Sequence, residues 1–300
     1  MRGPLTIPAV SEPVLTPLRM PAPAPRVLTI DAEDWFHVCG DGYYSDPRRW
    51  DGFVPRVEKT LGPLFDALSR GGHRATVFFL GWIARRYPQL VREAAGRGCE
   101  VGVHGDLHVR ADEMTGEEFR DDLRRAKDAV EEAGGVRADV HRAAEWSIRE
   151  PAADALGALA AAGFRCDASM MPLAPLGSDA NPRGPVRIDR GAWSLVELPP
   201  LSGAVLGRRL PFGGAWPFRV LPEPTLSAGE RRFRDAGWPA VFTVHPWELD
   251  REHPAMDGLP AMSRLVHFLG LRGFPARLER WLAADRCVAV RDVLPDLRPA

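Results

Sequence analysis

Along most of this chain, apolar and polar positions recur with two periods, one of strands and one of helices. The run Val27–Ile30 is short, continuous and rich in branched side chains, the pattern of a strand covered on both faces. In "RVEKTLGPLFDALSRGG", Val57, Leu61, Leu64, Phe65 and Leu68 recur at helical spacing, and Gly71-Gly72 marks the helix end. "ATVFFL" reads as a buried strand, "YPQLVREAAGRG" as a short helix with a glycine stop, and "CEVGVH" as the next strand. "TGEEFRDDLRRAKDAVEEAGG" opens with a capping-box pattern, Thr115 with Glu118. "ADVHR" (strand), "REPAADALGALAAAGF" (helix) and "RCDAS" (strand) continue the alternation. It resumes late in the chain with the strand "AVFTVHP", the helix "FPARLERWLAAD" and the short strand "CVAV".

Such alternation predicts an α/β fold with a parallel sheet covered by helices, either a barrel or a doubly wound sheet. The proline-rich residues 1–25 read as a loose N-terminal arm, and 26–300 as one domain. An irregular insertion is expected at about 171–239, where Pro and Gly break the rhythm. Asp31, His104, Arg142, Asp167 and His245 each fall at the end of a predicted strand. In parallel α/β folds those ends converge on one face, where ligands bind.

Composition narrows the picture only slightly. The 300 residues carry a formal net charge of −1, which excludes a whole-protein field attracting nucleic acid or an anionic membrane. Cys39, Cys99, Cys166 and Cys287 form no Cys-x-x-Cys pair, arguing against a zinc ribbon or a dithiol site. The N-terminus has no continuous apolar core of signal-peptide length, and no segment reaches the roughly 20 apolar residues of a membrane span. The expectation is a cytoplasmic protein with no stable membrane insertion.

The candidate chemistry sits at the strand ends. Asp31, Glu33 and Asp34 crowd three acids into four positions, and their mutual repulsion calls for a compensating positive charge. "HGDLH" spaces His104 and His108 so that a helical turn would put both imidazoles on one side, able to grip one metal. A carboxylate from the acid cluster would complete a two-histidine, one-carboxylate site with open positions. A buried Arg142 could fix a neighbouring carboxylate in its ionised form. His245, followed by Pro246 and Trp247, is a candidate general acid beside such a centre. Glu248 and Asp250 read as a solvated turn, and Trp35, Trp146, Trp216 and Trp247 as core residues or walls of a sugar groove.

Taken together, "TIDAEDWFHV", "EVGVHGDLH", "HRAAEWSI", "GFRCDASMMP" and "HPWELD" resemble, in order, the motifs of the polysaccharide deacetylase family, also called NodB-homology or carbohydrate esterase 4. "LGRRLPFGGAWPFRVLP" resembles a segment of its exopolysaccharide- and exosortase-associated branch. The resemblance implies a distorted (β/α)₇ barrel and a hydrolase removing N-acetyl groups from amino sugars. By position it makes Asp31 the general base, Arg142 its orienting partner and His245 the general acid, with Asp167 tuning His245. It makes Glu33, His104 and His108 the metal ligands, with Asp34 the alternative to Glu33. The implied cofactor is one divalent cation, zinc first, with cobalt, iron, nickel or manganese open. The implied partners are an N-acetylated saccharide and the exopolysaccharide-synthesis machinery, with no nucleic acid. Ala144 departs from the family's Arg-Ala-Pro motif at the proline position. Hydrolysis of another small or cyclic amide, and non-catalytic glycan binding, are the competing readings.

Overall fold

The computed structural model describes residues 12–38, 42–150, 154–174 and 176–299. Its strands are β1 (Val14–Arg19), β2 (Arg26–Ala32), β3 (Thr76–Phe79), β4 (Glu100–Val103), β5 (Val140–His141), β6 (Cys166–Asp167), β7 (Val186–Asp189), β8 (Ser194–Glu197), β9 (Gly203–Val205), β10 (Arg208–Leu210), β11 (Ala240–Val244), β12 (Cys287–Val288) and β13 (Arg298–Pro299). Eleven of them form one sheet in the order β11-β2-β3-β4-β5-β6-β8-β7-β1-β13, with β12 also paired to β2, while β9 and β10 form a separate hairpin. Every pairing from β11 through β8 is parallel, and β7, β1 and β13 extend the sheet antiparallel. The architecture is thus α/β with a mostly parallel sheet, and among the described residues the ladder is an open path.

Helices α1 (Val57–Gly71), α2 (Gly81–Arg86), α3 (Pro88–Gly96), α4 (Gly116–Gly134) and α5 (Asp154–Ala161) lie between the early strands. α6 (Ala215–Val220) and α7 (Glu223–Asp235) precede β11, and α8 (Ala261–Phe268), α9 (Phe274–Ala284) and α10 (Val290–Val293) follow it. The glycine stop after α1 is Gly72, in the left-handed region at φ 64°, and the Thr115–Glu118 capping box opens α4.

Side-chain alternation gives the sheet two faces. Leu28, Ile30, Val77, Phe79, Val101 and Val103 belong to the large core that includes residues of α1–α4. Val27, Phe78, Val140, Cys166, Ala168, Leu198 and Val241 form a second, smaller core with Val290 and Val293. Cys99, Cys166 and Cys287 are free and buried, and Cys39 lies outside the described residues.

One expectation about organisation changes. Residues 14–19, expected within a loose arm, form β1, which bridges β7 and β13. The region at about 171–239 alternates irregular stretches with short elements, β7 to β10, α6 and α7, and β8 lies within "WSLVELP", whose apolar run reads as a strand. β1 carries no strong sequence period, because most of its positions are exposed.

Candidate active site

The three acids at the end of β2 and just past it have three different surroundings. Asp31 points to the face of the smaller core, level with Phe78 on β3. There Arg142 Nη1 donates to Asp31 Oδ1 at 2.8 Å, and also to Thr29 Oγ1 (2.8 Å) and Thr243 Oγ1 (3.1 Å). Arg142 Nε donates to the Ala168 carbonyl, and its guanidinium lies 4.5 Å from the Phe78 ring centre. Ion, hydroxyls and ring are all buried, so the Asp31 carboxylate is fixed in orientation with Oδ2 left toward the groove.

Glu33 faces the histidines. Its Oε1 lies 3.0 Å from Nε2 of both His104 and His108, and the donor atoms of the three lie within 4.8 Å of one another. Burial alone would raise the Glu33 carboxyl, but His108, His245 and His104 outweigh it and hold it well below the usual range. Asp34 turns away. It accepts the backbone N–H groups of Trp35, Arg56 and Val57 at 2.9, 2.7 and 3.1 Å, the last two at the start of α1. Of the two rival acids, Glu33 is therefore the one that meets His104 and His108.

His104 and His108 do not converge through a helical turn. The segment is a loop in which Gly105 (φ 76°) and His108 (φ 53°) both adopt left-handed backbone. For histidine that conformation is strained, and it is what swings the second imidazole back onto the first. Their ring centres lie 5.2 Å apart. The donor set suits a divalent cation by its own hydrogen bonding. His104 Nδ1 donates to the Arg142 carbonyl at 2.9 Å, so in its neutral form Nε2 carries a lone pair aimed at the Glu33 carboxylate. Two acceptors facing each other in a buried space are reconciled by a cation.

His245 follows β11, paired in parallel to β2, and its Nε2 lies 3.8 Å from Asp31 Oδ2 and 3.9 Å from Glu33 Oε1. The partner of its Nδ1 is Glu248, at 3.1 Å, whose same oxygen accepts the His245 backbone N–H at 2.8 Å. Glu248 Oε1 in turn accepts from Arg219 of α6 at 2.7 Å, both side chains buried. Burial alone would lower the His245 imidazole, but Glu33, Glu248 and Asp31 push it up to about 9.

This corrects two expectations. Asp167 does not reach His245: it accepts from His141 Nδ1 (2.8 Å) and Ser169 Oγ (2.6 Å), and lies level with Glu197 on β8. Its neighbours Cys166 and Ala168 are on the face that carries Arg142, so alternation puts Asp167 on the opposite face, beneath Phe119 and Phe164 around His141. Glu248, read as part of a solvated turn, is the residue that sequence reasoning missed. Its spacing of three from His245, the capping-box spacing, is the local signal, while its ion pair comes from Arg219, in the insertion. Asp250 likewise is held, by Arg56.

The site opens into a groove of about 820 Å³ lined by Trp146, Leu210, Trp216, Trp247 and Met262, among others, with Asp31, Glu33, His108 and His245 in it. Trp146 and Glu145 follow Ala144 with φ of 52° and 51°, a left-handed pair that turns the indole toward the groove. Trp35 instead packs in an aromatic cluster with Phe36, Tyr44 and Trp50, its Nε1 donating to the Val54 carbonyl. His37 sits beside that cluster and accepts the Asp34 N–H.

Two family models match the chain. The polysaccharide deacetylase model matches residues 51–165, spanning both histidines and Arg142, and a domain of unknown function, DUF3473, matches 168–295, which includes His245. No curated protein matches. A solved structure from Mycobacterium smegmatis, assigned as a polysaccharide deacetylase, is 20% identical, covers 95% of this chain and 93% of its own, and aligns with a TM-score of 0.58, a likeness of fold. Structures of the peptidoglycan deacetylase PdaC from Bacillus subtilis (12% identity, 90% and 91% coverage, TM-score 0.46) and a family 4 carbohydrate esterase from Streptomyces lividans (21%, 49% and 63%, 0.36) score lower and add no weight. The ordered motifs, this fold and the model matched over residues 51–165 agree in their likeness to the polysaccharide deacetylase family, hydrolases acting on non-peptide carbon–nitrogen bonds.

Proposed function

We propose that this chain is a metal-dependent deacetylase that removes N-acetyl groups from amino sugars of an exopolysaccharide or its precursor. The observation that carries this reading is the meeting of Glu33, His104 and His108 beside Asp31, with Arg142 behind it and His245 across from it. A divalent cation held by Glu33, His104 and His108 would polarise the acetyl carbonyl and make water a better nucleophile at neutral pH. Asp31 Oδ2 takes the proton of the attacking water, while Arg142 keeps Oδ1 engaged and the carboxylate oriented. His245, protonated and held at Nδ1 by Glu248, delivers its Nε2 proton to the departing amine, a poor leaving group without it. The products are acetate and a free amino sugar. Trp146, Trp216 and Trp247 offer flat walls for sugar rings.

Acetate release from N-acetylated oligosaccharides tests the reading. Asp31→Asn is expected to lower turnover about 10²–10⁴-fold, the usual contribution of a general base, with metal content unchanged. An Asp31→Asn protein that keeps most of its activity would remove Asp31 from this role. Turnover of small or cyclic amides in preference to acetylated saccharides would replace the substrate class.

A further inference from the structure

The net charge of −1 conceals a segregation of charge along the chain. Residues 198–222 and 258–278 contain no Asp or Glu, yet carry Arg208, Arg209 and Arg219 in the first stretch and Arg264, Arg272 and Arg277 in the second. Both stretches border the groove, through Leu210 and Trp216 in one and Met262 and Val266 in the other. Each also exposes large apolar side chains. On α8 and its cap, Met262 is 69% exposed, Leu265 54% and Leu269 36%, a spacing that stacks them on one helical face. At the tip of the β9–β10 hairpin, Leu206 is 99% exposed. Its φ of 50°, followed by 76° at Gly207, is the double left-handed turn in which Asn, Asp or Gly is favoured and leucine is strained. Stability of the isolated fold explains neither that strain nor that exposure.

We propose that α8 and the β9–β10 hairpin form a docking surface for an anionic lipid bilayer. Leucine and methionine side chains enter the interface, and Arg208 and Arg264, both exposed and in no ion pair among the described residues, face the anionic headgroups. Arg209 is answered by Asp179 at 3.1 Å and contributes less. Docking sets the groove mouth at the membrane, so the saccharide presented to the site is one carried on the bilayer. This last step rests on the deacetylase reading; the docking surface does not.

The test is co-sedimentation of the full chain with phosphatidylcholine vesicles, with and without phosphatidylglycerol, beside acetate release from a soluble acetylated oligosaccharide. Wild-type protein is expected to bind the phosphatidylglycerol vesicles in a salt-sensitive manner. Arg264→Gln should weaken that binding about fivefold, the usual effect of one interfacial arginine. The double variant Leu206→Asp/Leu265→Asp should lose it while keeping its fold and its activity on the soluble substrate. Absence of vesicle binding, or binding that the double variant retains, overturns the docking surface. So does a wild-type dimer that the double variant converts to monomer, because a second copy of the chain would then cover this face. Protein that binds vesicles but releases no acetate upholds the surface and overturns only the deacetylase reading.

Discussion

Asp31, Glu33 and Asp34 are chemically near-identical and stand within four positions, yet their environments assign them separate tasks. Arg142 fixes Asp31, two histidines face Glu33, and Asp34 caps the start of α1. Glu33→Ala is therefore expected to abolish metal binding, while Asp34→Ala keeps it and costs about 1–2 kcal/mol of stability, the scale of a lost helix cap. Metal titration and denaturant unfolding of the two variants check this pair of outcomes. Glu248 raises the His245 imidazole, so Glu248→Gln lowers it. His245 must be protonated to act, and the alkaline limb of the rate–pH profile should move to lower pH with little change in KM. An unmoved limb would mean that Glu248 only braces the backbone. Asp31, His104 and Arg142 were legible as candidates because each stands at a strand end within a motif, and His108 through its spacing from His104. Glu248 was read as solvated, because its burial depends on Arg219 on a distant element.

At the scale of elements, the legible parts were those with a strong period: α1, α4, β3 and β11 all lie where the pattern places them. The misreading of Asp167 shows what period alone leaves out. A strand end marks the level along the sheet, and one residue decides the face. The histidine loop depends on α4 in a way that pattern also hides. Asp122 of α4 accepts the Asp106 N–H at 3.0 Å between the two histidines, and its burial pushes its carboxyl from the usual 3.8 up to about 6. Below about pH 4 both folded and unfolded chains hold this proton. Between about pH 4 and 6 the unfolded chain releases it and the folded chain keeps it, so this residue lowers stability as pH rises through that window, by about 3 kcal/mol in all. Asp122→Asn should flatten that part of the stability–pH curve, as urea unfolding across the window would show. A variant curve parallel to wild type would place the titration elsewhere.

Across the whole molecule, parallel strands from β11 through β4 bring residues more than two hundred positions apart to one end of the sheet, where Asp31, His104 and His245 meet. Their convergence was readable in outline, since strand ends of a parallel sheet share a face. The walls of the groove were not, because β9, β10, α6 and α8 gain their shape from packing rather than from period. The proposed chemistry depends on a metal held by Glu33, His104 and His108. Its most direct test is calorimetric titration of zinc into chelator-treated wild-type protein beside His108→Ala, with folding of both verified by circular dichroism. About one equivalent bound by wild type and lost in the variant is the outcome expected of a three-ligand site. A wild-type chain that binds no zinc, cobalt, iron, nickel or manganese, or a His108→Ala chain that binds as wild type does, would contradict it.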